Sequence, residues 1–349
     1  LELGEKNMTV RLFDEGIDSV ILSKKNWGAY QILKSTAVHQ NQSFSKMVMV
    51  GSVSKTEFPN LYLADQGRPL SLSGKTKVEG LCKLPESGVK RAYIAGANYQ
   101  GDKLIYGKKE NSTKQLPKVN DELIFNLNLI EGEKIEWDNS LAYFHCPFDS
   151  IPVHFVSNNP IFIDAQSLSG QVIIESTDSV VISALAQLRD VIIKSPKIII
   201  EKGFRGNIQC LASEGIVVQE NVILEYPSVL GVIQTKQKEK SSFVSIKSGA
   251  KIIGSVFMLN EVQNFRKPVK LMVQEESVVH GFIYVQGQTE LKGKINGSIF
   301  TQSFHLKTAS SVYQNHLLNA EITNQLPKEF IPIPLLASSN KIKIIQWLN

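Results

Sequence analysis

Ile252-Ile253-Gly254-Ser255-Val256, Val279-His280-Gly281-Phe282-Ile283 and Ile295-Asn296-Gly297-Ser298-Ile299 share one pattern: an apolar residue, any residue, glycine, any residue, then Val or Ile. Leu168-Ser169-Gly170-Gln171-Val172, Phe204-Arg205-Gly206-Asn207-Ile208 and Val229-Leu230-Gly231-Val232-Ile233 repeat it, and Leu188-Arg189-Asp190-Val191-Ile192 puts aspartate in the glycine place. The key positions 170, 190, 206, 231, 254, 281 and 297 are separated by 20, 16, 25, 23, 27 and 16 residues. Recurrence at roughly 20 residues marks a solenoid, whose turns lengthen their loops without disturbing their strands.

Between the key positions lie short β-branched runs such as Val172-Ile173-Ile174, Val191-Ile192-Ile193 and Ile198-Ile199-Ile200. Runs this short, bounded by Gly, Ser, Pro or Asp, read as strands; helical spacing of apolar residues is missing from them. One such strand cannot bury a face alone, but stacked turns form apolar ladders and pair their backbones. Glycine at a recurrent place fits a corner of positive φ or close backbone approach, and Asp190 tolerates such a corner better than most residues. The expected fold is all-β: a parallel, right-handed β-helix solenoid with an N-terminal β-rich cap and an insertion. A β-sandwich with coincidentally similar strands is the alternative.

The chain has 349 residues, 42% of them hydrophobic and 20% charged, and a net charge of +5. That is room for one long domain or two ordinary ones, and the scattered charge argues against nucleic acid as a partner. Cys82, Cys146 and Cys210 are too few and too far apart for a disulfide framework or a zinc motif, so they read as buried thiols. No apolar run is long enough for a membrane-spanning helix.

Residues 1–58 read as strands and tight turns, with Asp14-Glu15-Gly16 as a turn signal and Trp27-Gly28-Ala29-Tyr30 leading into a further strand. This is the expected cap over an open solenoid end, or a membrane-proximal unit. Residues 61–107 carry first solenoid turns, with Gly80 and Gly96 again 16 apart. Residues 108–160 read as an insertion, with a helix around Asn120 to Ile130. The main array occupies 161–325, and the polar stretches Thr235 to Lys240 and Asn264 to Pro268 are its projecting loops. The tail, 326–349, is broken by Pro327, Pro332 and Pro334, and Lys341 to Trp347 reads as a strand that caps the last turn or adds to a partner.

Solenoids can carry acid–base chemistry, and Asp178, Asp190 and Glu201, with Arg189, Lys194 and Lys202 beside them, form the one carboxylate group to test. The plainer reading makes them turn and solvent-face residues of consecutive turns. His280 stands where a general base of a left-handed acyltransferase helix could sit, but the repeat lacks that fold's strict six-residue period. His145 and Cys146 are adjacent, with no third group to complete a nucleophilic set. Trp27, Trp137 and Trp347 read as packed residues. No catalytic, cofactor or metal residue is assigned, and no Walker A, HExxH or paired CxxC motif occurs.

The repeats at Ile252 to Phe257, Val279 to Tyr284 and Ile295 to Phe300 resemble those of bactofilins and related polymer-forming β-helical proteins. The likeness spans about half the chain; the length, the N-terminal unit, the insertion and the charged loops depart from that family. The lysine- and asparagine-rich style also resembles envelope proteins of Bacteroidetes-type bacteria. These resemblances imply a non-enzymatic structural or assembly protein of the bacterial cell envelope, anchored to the membrane through a segment preceding Leu1. Its partners would be other envelope proteins or its own copies. A carbohydrate-binding or polysaccharide-degrading β-helix protein is the other expectation. Neither resemblance carries over a site residue.

Overall fold

The computed structural model describes residues 7–11, 18–54, 58–129, 132–235, 241–261, 267–327, 329–336 and 340–348. The turn signal at Asp14 to Gly16 and most of the two expected projecting loops, 236–240 and 264–266, lie outside the described residues. The described chain is mostly β, with one α-helix, Asp121–Asn128.

Parallel strands stack turn upon turn, each pairing with the turn before it. Tyr143–Cys146, Val153–Ser157 and Ile161–Ile163 lie under Ser167–Gly170, Val172–Ser176 and Ser179–Ile182. Gln187–Ile200 and Arg205–Val218 then round the corners as continuous strands. The pairing continues through Val278–Leu291 and Lys294–Lys307 and closes into one barrel-like sheet. The register explains the sequence pattern. Phe155, Ile174, Ile193, Cys210, Leu230, Val256, Ile283 and Ile299 fall in one inward column, all buried. Each buried aliphatic side chain of this kind contributes about 1.5–3 kcal/mol.

Residues 61–107 do not begin this stack; they finish it. Leu61–Leu63 pairs in parallel with Ile299 to Thr301 of the last long strand, and Cys82–Leu84 and then Lys109–Asn111 follow above. Glu321–Thr323 lies between Lys294 to Asn296 and Lys77–Val78. The stack therefore rises from residue 133 to 323 and resumes at 58, so segments some 240 positions apart share a seam. Asn60 ties it together: its Nδ2 donates to the Gly297 carbonyl at 2.9 Å and its Oδ1 accepts from the Leu81 amide at 3.2 Å. The seam forms because Ile299, Leu61 and Cys82 continue one apolar column, and Ile295, Ile322 and Val78 another.

The expected insertion shrinks accordingly, because Glu133–Glu136, Tyr143–Cys146 and Val153–Ser157 belong to the stack itself. The segment after Asn111 returns along the outside with the helix Asp121–Asn128, whose N-cap Asn120 accepts from the Glu122 amide. The N-terminal unit, expected over an open end or near a membrane, lies along the flank of the stack. The reason is a second set of columns that face outward yet are apolar, including Ile173, Ile192, Val229, Phe257 and Tyr284. Trp27, Tyr30, Ile32, Met49, Leu123 and Leu127 cover them.

That unit is a five-stranded antiparallel sheet, ordered Asn7–Arg11, Asp18–Trp27, Tyr30–His39, Gln42–Ser54, Asn340–Leu348. The tail, expected to cap the last turn or to add to a partner, adds instead to the edge of its own chain's N-terminal sheet.

Each end of the stack carries one charged edge strand, and the lower end also carries the uncharged edges Tyr143–Cys146 and Ile161–Ile163, with Tyr143 and Phe162 exposed. Glu133–Glu136 and Lys109–Asn111 are exposed throughout, and among the described residues each has a strand partner on one side. Charged, short edges of this kind discourage end-to-end pairing. Beneath the first, Phe155 meets Trp137 and Phe144 edge to face, with ring centroids 5.8 and 5.3 Å away, and closes the core.

Candidate functional site

The carboxylates singled out in the sequence do not converge. Asp178 lies in the turn between Val172–Ser176 and Ser179–Ile182, Asp190 near the start of Gln187–Ile200, and Glu201 just beyond that strand. They occupy three different bends of the coil. Arg189, Lys202, Asp178 and Glu201 are exposed. Asp190 has a structural task. Its φ of 61° marks the corner foreseen for a glycine substitute. Its amide donates to Asn207 Oδ1 at 2.8 Å, while its Oδ1 accepts from Asn207 Nδ2 and Gln346 Nε2, each at 3.0 Å. Its carbonyl accepts from Trp27 Nε1 at 3.1 Å.

His145 points outward, with Nδ1 2.8 Å from Ser169 Oγ, while the neighbouring Cys146 is buried and its thiol lies 3.3 Å from the Ile151 carbonyl. Alternation along a strand sends the two to opposite faces, so they form no imidazole–thiol pair. Burial pushes the Cys146 thiol up, and the fully buried Cys210 thiol further. His280 is half-buried beside Asn296, 3.2 Å away, and burial, with Lys251 nearby, holds its pKa below the usual value. Trp27 is packed and Trp137 partly so, whereas Trp347 is 60% exposed, against expectation.

One polar group escaped sequence reading. His154 Nε2 lies 2.9 Å from Glu175 Oε2, and Lys194 Nζ lies 3.9 Å from Glu175 Oε1. The imidazole chiefly holds the Glu175 carboxyl below the usual glutamate range, against a smaller opposing effect of burial. Glu175 and Lys194 are register partners on one outward column, and His154, opposite Ile173, stands on the outward column beside it. Their spacing of about one turn is the only signal the sequence held.

A further feature is the outer face of the five-stranded sheet. In a strand, alternate residues face alternate ways, and cross-strand partners share a face. Ile32 and Met49 face the stack, so their neighbours Leu33 and Val48 face away. With them stand Leu22, Ala37, Phe44, Ile342, Ile344 and Trp347, lining a depression of about 440 Å³. Phe44 is 65% exposed and Ile342 51%. Lys46 Nζ stands 5.8 Å from the Phe44 ring centroid and 5.5 Å from that of Trp347. Such cation–aromatic pairs are worth about 0.5–1 kcal/mol at exposed sites.

This face is held firmly. Lys25 Nζ donates to the Phe148 carbonyl and to Gln171 Oε1, both at 2.8 Å. The turn at Gly28, whose φ is 58°, docks on Gln209: the Ala29 amide donates to Gln209 Oε1 at 2.8 Å, and Gln209 Nε2 donates to the Trp27 carbonyl at 3.1 Å.

No protein-family model and no curated protein matches the chain. Among solved structures it is similar to the competence-associated pilin ComZ from Thermus thermophilus, at 10% identity and a TM-score of 0.30, over 99% of this chain and 88% of that one.

Proposed function

We propose that the stack is a right-handed parallel β-solenoid, and that the protein is a non-enzymatic structural or assembly component of the bacterial cell envelope. In this reading the solenoid is a rigid body that presents a docking surface. The observation that carries it is the exposed apolar outer face of the five-stranded sheet, clamped to the stack through Lys25, Gln209, Asp190 and Gln346. Exposed contiguous apolar patches on a folded chain mark interaction sites. The dispersal of Asp178, Asp190 and Glu201 over three bends supports a scaffold over a polysaccharide-degrading site.

The test is envelope retention in the native host. Phe44→Asp should release the protein from the envelope fraction with unchanged circular dichroism, and Asp178→Asn with Glu201→Gln should leave retention intact. Retention indifferent to Phe44→Asp, or turnover of a polyuronate that the carboxylate variants abolish, contradicts the reading.

A further inference from the structure

The outer face of the sheet has a shape and a charge as well as an apolar character, and together they restrict what can cover it. Its depression is lined from four strands and walled by Phe44 and Trp347. A concave apolar floor takes a convex rod. The rod proteins lay on an apolar sheet is an α-helix, about 10 Å across, with one apolar stripe.

The charge is one-sided. Lys46 stands between Phe44 and Trp347. Lys24 pairs with Leu33 in the register and shares its outward side. Among the described residues of these five strands the one carboxylate is Asp18, at the far end of its strand and in contact with His39. The rim is therefore left wanting anionic partners. A second copy fits poorly on both counts: two depressions do not interlock, and a two-fold contact would bring the same lysines toward each other. A flat bilayer would span the depression and leave it unfilled.

We propose that this face seats an amphipathic α-helix of another chain, apolar along one stripe and acidic along its flanks. The inference rests on the scaffold reading and names the chemistry of its partner.

The experiment uses the full chain and two synthetic peptides of roughly 18 residues, long enough to cross about five strands. Both carry the same leucine–alanine stripe; one has glutamate flanks and the other lysine flanks. Vesicles of phosphatidylglycerol and phosphatidylcholine serve as a third probe. Tryptophan fluorescence and sedimentation report binding. The glutamate peptide should bind saturably, at least tenfold more tightly than the lysine peptide, and blue-shift the emission through Trp347. Phe44→Asp should weaken it at least tenfold. Phe125→Asp, which alters an exposed aromatic on the helix Asp121–Asn128, should leave it unchanged. Equal binding of both peptides, binding of neither, capture by vesicles in their place, or self-association removed by Phe44→Asp would each overturn the proposal. If Phe44→Asp still releases the protein from the envelope while neither peptide binds, the helix proposal fails and the scaffold reading stands. If retention is also indifferent to that substitution, both fail.

Discussion

The glycines show what the repeat encodes. Gly254, Gly281 and Gly297 stack in register, and a Cβ on Gly281 would lie 1.7 Å from the Gly254 carbonyl oxygen. The requirement is space beside the turn below. Gly206 and Gly231 do not share that column. Gly206 stacks on Leu224, where a Cβ would lie 2.6 Å from the Leu188 carbonyl oxygen and 2.9 Å from the Phe204 ring, and Gly231 lies under the Phe257 ring. The single pattern thus covered different tasks, because the corner changes length between turns, as the register shifts near Val191, Gln209 and Ser228 show. Gly281→Ala should cost more than about 3 kcal/mol, since a backbone oxygen cannot swing aside. Gly67→Ala, at a φ of 71° with open space around it, should cost only about 1–2 kcal/mol. Urea midpoints of the two variants decide. Glu175 gives a prediction about pH. Its folded pKa is depressed, so the unfolded chain takes up the proton first as pH falls. The His154 contact therefore adds stability above the ordinary glutamate value of 4.5, and that stability is lost as pH drops through the folded value. Glu175→Gln should be less stable than the parent at neutral pH and converge with it in acid; parallel curves would rule this out.

Among the elements, the tail strand Asn340–Leu348 was legible as a strand but not in its partner. Its own alternation is imperfect because the register slips between Ile344 and Gln346, and only that slip lets Gln346 reach Asp190. The working face was half legible. Met47-Val48-Met49-Val50 is apolar at both parities, which signals a strand buried or contacted on two sides. Nothing in one strand says that only one of those sides is covered by this chain. Deleting 338–349 should expose the edge of Gln42–Ser54 and the buried Met47, which pairs with Leu348. The expected result is loss of monomeric solubility in sedimentation, with the parallel stack keeping its far-ultraviolet signal. Asp190→Gly keeps the corner conformation but removes the side-chain bonds to Asn207 and Gln346. It should cost about 1–2 kcal/mol and speed amide exchange across 340–348 without affecting turns beyond Val278–Leu291.

For the whole molecule, the strands were readable locally but their order was not. Periodicity places Leu61, Val78 and Cys82 in apolar columns, yet it is blind to which end of the stack those columns extend. The chain leaves the coil after Thr323, and residues 58–111 complete it from the other terminus. Pairings this distant in sequence predict slow folding, because the seam closes only after most of the chain is in place. Everything proposed for the flank depends on that body, since the sheet is clamped to Gln171, Asp190 and Gln209, and the apolar cluster it joins runs on through Phe300 to Tyr62 across the seam. Lys77 and Glu321 are paired in parallel across the seam with accessible side chains, at a spacing a disulfide can bridge. The deciding measurement is intramolecular cross-linking of Lys77→Cys/Glu321→Cys under mild oxidation, read by mass spectrometry beside Lys134→Cys/Glu321→Cys. The account predicts a near-complete 77–321 disulfide within one chain and none in the control; no bond at 77–321, or one formed only between two chains, would contradict it.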